Sequence, residues 1–264
     1  MSDLPLNEGV LQEFARQIQL IGGHVLEGLH VSMRSGAGVE YHSTSPYTHG
    51  DDLRKLDWKR LASSDRLFVQ KSEREERANW QIFYDYSSSM KYGDKKAYAQ
   101  KFCGSLCFLA ESFKDRWRIN DMDRTSLNEA FSFLLHPHHS FDLKALKSIN
   151  LSSNSIFVFI SDFFFDLESL SVLKNFDETI RFHFIQILDE KELEFSFENV
   201  IQFRDLESSQ KLTLDTNIVR QKYLKALADH QSKVRGLIPE AYFMKILANS
   251  NNVETDLLSF FEAM

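Results

Sequence analysis

From residue 79 onward, short continuous apolar runs alternate with segments of helical period. Trp80-Gln81-Ile82-Phe83-Tyr84 reads as a short buried strand, Ile156-Phe157-Val158-Phe159-Ile160 as the clearest one, and residues 181–188 as another. Trp117 and Ile119 mark a weaker strand, and residues 200–203 an edge strand. Between these runs, Tyr98, Phe102, Leu106, Leu109 and Phe113 form one apolar stripe, which predicts a helix over 95–113. Thr125 stands before Leu127, Ala130, Phe131 and Leu134, as at a capped helix start. Further helical patterns cover 142–149, 167–175, 218–231, 240–248 and 253–262. Continuous apolar strands alternating with amphipathic helices predict an α/β fold, a doubly wound, mostly parallel sheet covered on both faces.

The first part of the chain reads differently. Val10, Leu11, Phe14 and Ile18 predict a helix over 7–21, which Gly22-Gly23 is expected to end. Gly36, Gly38, Pro46 and Gly50 then punctuate an irregular stretch. Residues 1–78 are therefore expected to form an N-terminal attachment, and residues 79–264 the α/β domain with its C-terminal helices. From Asp51 to Arg77, eight Lys/Arg stand against seven Asp/Glu, so no basic patch forms there. Asp51, Asp52, Arg54, Asp57, Trp58 and Arg60 are read as an internal salt-bridge network rather than a docking surface.

Composition narrows the functional classes. The formal charge of −7 argues against a nucleic-acid-binding protein. The 23 Phe predict a Phe-rich core, and 4 Pro and 10 Gly leave little room for low-complexity linkers. The 2 cysteines, Cys103 and Cys107, lie four apart on one helix face, where a disulfide would staple nothing; they read as buried thiols. No apolar run is long enough to span a bilayer. The acidic, polar N-terminus lacks the features of a secretory signal, so a cytoplasmic location is expected.

The chemistry concentrates at two strand ends. Asp85 and Asp162 each follow a predicted buried strand, and open parallel sheets bind ligands at the carboxyl ends of their strands. Asp85, Ser87 and Ser89 alternate along the loop, so one carboxylate and two hydroxyls can converge. Hard oxygen donors of this kind suit magnesium, and Asp162 would add a second carboxylate. The same serines would serve equally as helix caps and turn residues.

Asp85-Tyr86-Ser87-Ser88-Ser89-Met90 resembles the metal-ion-dependent adhesion site of von Willebrand factor A-like domains. The segment before it resembles one subgroup, domain-of-unknown-function family 58. That resemblance runs from Gly36-Ala37-Gly38-Val39-Glu40-Tyr41 through Gly50-Asp51-Asp52-Leu53-Arg54-Lys55-Leu56-Asp57-Trp58 to Leu67-Phe68-Val69-Gln70-Lys71. Ile160-Ser161-Asp162-Phe163, Asp189-Glu190 and Arg204-Asp205 look like the later strand ends and acidic turns of the family, and Tyr223 fits the helix after them. The resemblance implies a von Willebrand factor A-like, Rossmann-like fold and a non-enzymatic mediator of protein contacts. It further implies an Mg2+ site, with Mn2+ or Ca2+ as substitutes. The serines would bind the ion directly, Asp85 and Asp162 would bind it directly or through water, and a partner's Asp or Glu would complete the shell. The implied partner is a MoxR-type AAA+ ATPase acting in protein assembly or metal insertion. The family also takes a Thr from a loop that here looks short; Thr125 is the chosen candidate and Ser140 its rival.

Other features are read as structural. His136-Pro137-His138-His139 lacks helical ligand spacing and reads as an exposed loop. His183 lies inside an apolar strand and reads as a satisfied core residue, and the Lys71–Arg77 run as a solvated face. A haloacid-dehalogenase-type phosphatase would need an Asp where Ser87 stands, and neither a nucleophile elbow nor a phosphate loop is present. The expectation is a binding module. A structural scaffold with a vestigial metal site is the alternative, and a metal-dependent hydrolase ranks last.

Overall fold

A strand buried on both faces reads as a near-continuous apolar run, and Ser-Ile-Phe-Val-Phe-Ile-Ser over residues 155–161 is buried throughout, apolar at all but its two ends. The structure is a computed structural model that describes residues 8–35, 43–46, 68–71, 77–122, 126–137, 143, 146, 151–152, 155–175, 179–197, 200–204, 211–236 and 241–264. One unit runs over Met1–Leu29 and Ala78–Met264, the other over His30–Arg77.

In chain order the elements are helix α1 (Glu8–Ser35), strands β1 (Ser43–Pro46), β2 (Phe68–Lys71) and β3 (Asn79–Tyr84), and helix α2 (Lys95–Ser112). Strand β4 (Arg116–Ile119), helix α3 (Leu127–Leu135), strand β5 (Ser155–Ser161), strand β6 (Arg181–Leu188) and helix α4 (Glu190–Glu194) follow. Strands β7 (Val200–Arg204) and β8 (Lys211–Asp215), helix α5 (Thr216–Arg235), strand β9 (Tyr242–Leu247) and helix α6 (Val253–Glu262) complete the series. Short 3₁₀ segments occupy Ser89–Lys91 and Leu167–Asn175.

The main sheet has five strands in the order β4-β3-β5-β6-β9, and every pairing is parallel. Its core divides by the strand period of two. Ile156, Val158 and Ile160 of β5 pack with α1, α2, α3 and α6 on one face. Phe157 and Phe159 pack on the other with Phe163, Leu170, Leu173, Phe184 and, from α5, Val234. This is the doubly wound α/β architecture expected, and its core is rich in Phe. From β3 the chain moves outward to β4 and then crosses to β5 on the opposite side of β3. The switch point therefore lies between the carboxyl ends of β3 and β5.

Several expectations are corrected. Residues 242–247, expected to be helical, are strand β9, paired with β6 from His183↔Tyr242 to Leu188↔Leu247. Their apolar spacing suits either element, and the open edge of β6 decides it. Gly22-Gly23 does not end the first helix, which continues to Ser35. A Cβ at Gly22 would lie 2.3 Å from Phe108 Cδ1, so this glycine serves close packing rather than helix termination. The cap of α3 is Ser126, in a capping box with Glu129. Leu167–Asn175 is 3₁₀ rather than α-helical. His183 is buried as expected but is not satisfied: neither ring nitrogen has a partner among the described residues. Burial, then Arg181, holds its imidazole down at about 4, so it sits neutral among Tyr242 and Phe260.

Strands β7 and β8 form a separate antiparallel pair, as do β1 and β2. The expected salt-bridge block Asp51–Arg60 and most of the Lys71–Arg77 run lie outside the described residues. Among the described residues, no helix is long and apolar enough to cross a membrane.

Candidate functional site

Asp85 leaves β3 at the switch point, with its N–H donating to the Ile160 carbonyl at 2.9 Å. It is fully buried. Oδ1 accepts the Ser87 N–H at 2.8 Å, an Asx turn that starts the loop. Oδ2 accepts the Ser161 hydroxyl at 2.6 Å. Ser87 Oγ and Ser89 Oγ stand 3.0 Å apart, both half-buried. Burial first, then the charge of Asp162, pushes the Asp85 carboxyl up to about 6, while the bonds from Ser161 and Ser87 oppose that rise.

Asp162 faces different partners. Its Oδ2 takes the Lys95 ammonium at 2.8 Å and its Oδ1 the Phe164 N–H at 3.0 Å. Lys95, the first residue of α2, also donates to Glu192 Oε1 at 2.7 Å. Glu192 closes a capping box with Asp189, the residue that follows β6 and caps α4. Burial pushes the Glu192 carboxyl up, against the pull of Lys95. The segments that follow β5 and β6 thus meet around one buried lysine.

The surrounding backbone is held tightly. Asn120, at φ 50, accepts the Tyr84 N–H at 2.9 Å and donates to the Tyr84 carbonyl at 3.0 Å, fixing the residue before Asp85. Phe163, at φ 62, is braced by His230 Nε2, which donates to its carbonyl at 2.8 Å. Left-handed non-glycine backbone at two strand ends is strain of the kind that surrounding structure must impose.

Of the residues expected at the site, Asp85, Ser87 and Ser89 come together on one loop. Asp162 lies at the neighbouring strand end, and Lys95 occupies its carboxylate. Thr125 and its rival Ser140 lie outside the described residues. The oxygens of Asp85, Ser87 and Ser89 are of the hard type that magnesium takes, and each accepting oxygen retains a lone pair. The donor set therefore fits such an ion at these three residues, while the charge of Asp162 is paired with Lys95.

Two residues at the site were not anticipated. Ser161 enters through the register Tyr84↔Ile160, which places Asp85 beside it and which spacing along the chain does not show. Lys95 is legible as a charge in phase with the buried stripe Tyr98, Phe102 and Leu106.

No curated protein matches this chain. The crystal structure of conserved hypothetical protein BatB from Bacteroides thetaiotaomicron is similar at 12% identity and a TM-score of 0.38, covering 70% of this chain and 98% of that one. Residues 43–128, which include Asp85, Ser87 and Ser89 but not Asp162, match the model of the family described as Protein of unknown function DUF58.

Proposed function

We propose that this chain is a non-enzymatic protein-binding module whose contact is bridged by a divalent ion, Mg2+ in the first instance. The observation that carries the reading is the convergence at the switch point of the buried Asp85 carboxylate with Ser87 and Ser89, whose hydroxyls stand 3.0 Å apart. These three residues would hold the ion, which when bound supplies a Lewis-acidic centre for a partner's carboxylate. A binding role rather than hydrolysis is supported by the acids themselves. Both oxygens of Asp85 and both of Asp162 are held by hydrogen bonds from the fold, and Asp162 is further neutralised by Lys95.

The resemblance of the Asp85–Met90 loop to adhesion sites supports a von Willebrand factor A-like domain. With the family blocks upstream, it makes a MoxR-type AAA+ ATPase the proposed partner. Affinity capture of that ATPase by wild type and by Asp85→Ala, with and without chelator, tests the reading. Loss with either treatment is expected, and capture unchanged by both would refute it.

One observation favours a second reading, a scaffold with a vestigial metal site. The buried Lys95 ammonium already supplies positive charge to Asp162 and Glu192. Calorimetric titration of the wild type with Mg2+ and Mn2+ separates the two, since the scaffold gives no heat of binding.

A further inference from the structure

Lys95 sits in the first turn of α2 with its side chain wholly buried. A cation there meets the positive end of the helix dipole, and a buried ammonium is strongly penalised unless paired. Two carboxylates from two other elements offset both costs: Asp162 at 2.8 Å and Glu192 at 2.7 Å. The rings of Tyr92 and Phe164 lie beside the ammonium, at 5.9 and 5.4 Å from their centroids. This housing is built for one cation. The remaining Asp162 oxygen takes the Phe164 N–H, and the ion pair with Lys95 is what sets this carboxylate apart from Asp85.

We propose that Lys95 is the resident cation of this cluster of strand ends. It neutralises Asp162 and Glu192 and confines a divalent ion to Asp85, Ser87 and Ser89. It also keeps that ion's affinity low enough that a partner's carboxylate is needed to complete the site. The inference rests on the adhesion-type reading above and specifies its regulation. The physical cause is Coulombic: the ammonium opposes an incoming divalent ion and cancels charge that would otherwise attract one.

The test titrates the full chain with MnCl2 by calorimetry and follows its melting temperature with and without chelator, for wild type, Lys95→Met, Asp162→Asn and Asp85→Ala. Lys95→Met keeps the apolar stem and removes the charge. We expect it to bind Mn2+ about tenfold tighter than wild type or better. It should melt below wild type in chelator and recover with Mn2+. Binding no tighter than wild type overturns the proposal; if Asp85→Ala still abolishes wild-type binding, the adhesion-type reading stands. Binding by Lys95→Met but not by wild type supports the proposal, since the isolated wild-type site then lacks the partner's carboxylate. Should Lys95→Met fail to fold, Asp162→Asn decides. Affinity within about fivefold of wild type is expected of a residue that serves Lys95. A loss as complete as that of Asp85→Ala makes Asp162 a ligand and overturns the proposal. Absence of binding in wild type and every variant overturns proposal and reading together.

Discussion

The hydroxyl of Ser161 donates to Oδ2 of Asp85 at 2.6 Å, joining the carboxyl ends of two neighbouring parallel strands. The pairing Tyr84↔Ile160 sets this contact, because the next residue on each strand is then Asp85 on one and Ser161 on the other. The same hydroxyl oxygen accepts the Phe163 N–H at 2.8 Å, so one serine ties Asp85 to a backbone held at φ 62. Both partners are fully buried, where a hydrogen bond to a carboxylate counts for more than one at the surface.

Ser161→Ala leaves one buried carboxylate oxygen and one buried N–H without their partner. A loss of about 1.5–3 kcal/mol in unfolding free energy is expected at pH 8. It should shrink at pH 5, where Asp85 is mostly protonated, since its carboxyl titrates near 6. Urea denaturation at the two pH values measures both quantities. An equal loss at both would mean that the serine packs but does not stabilise the charge.

Asp85 also predicts how stability depends on pH. Its carboxyl is raised from its ordinary 3.8 to about 6, by burial and by Asp162. The folded state therefore holds a proton that the unfolded state has already released. Its contribution is fully present below pH 4 and is lost as pH rises through about 6. The span from 3.8 to about 6 corresponds to on the order of 3 kcal/mol. Denaturation in chelator from pH 4 to 7 should show this decline in wild type and a flatter profile in Asp85→Asn. Parallel profiles would place the raised carboxyl elsewhere. An ion bound at Asp85 must displace the proton, so saturating Mg2+ should remove the decline.

The parts of the fold that could be read in advance share one cause. A strand such as β5 must be apolar on both faces, and few other elements tolerate Phe-Val-Phe at its centre. Strand β9 was hidden because, at the sheet's edge, residues 241–244 and 247 are only half-buried, and their spacing suits a helix as well. Gly22 misled because a glycine chosen for contact with Phe108 looks like one chosen to break a helix. At the site, the Asp85 loop was legible as a local motif. The pairing of Asp162 with Lys95 spans 67 positions and depends on register, which local spacing does not carry.

Gly93 lies between the serine loop and α2, at φ 54. A Cβ there would stand 2.2 Å from Asp189 Oδ2, so Gly93→Ala is strained in backbone and in space. The left-handed backbone costs about 1–2 kcal/mol for an L-residue. The overlap costs about 1–3 kcal/mol more as the Asp189 side chain shifts. Because Asp189 caps the helix that presents Glu192 to Lys95, a weaker Mn2+ response should accompany the lower melting temperature. A variant that melts with wild type would show that the loop yields without cost.

Cys103 and Cys107 test the packing of α2 against the sheet. Both are fully buried on the helix face that meets β3 and β5, with no disulfide between them. Burial pushes both thiols up, so the reactive thiolate is disfavoured as well as shielded. Neither should react with a thiol-specific chromogenic reagent in the native protein at pH 8, and both should react once the chain is unfolded in guanidinium. Slow labelling over long incubation should report the opening of α2, becoming independent of reagent concentration only where labelling outpaces reclosing. Rapid labelling of either cysteine in the folded protein would show that α2, and with it the seat of Lys95, is not held on the sheet.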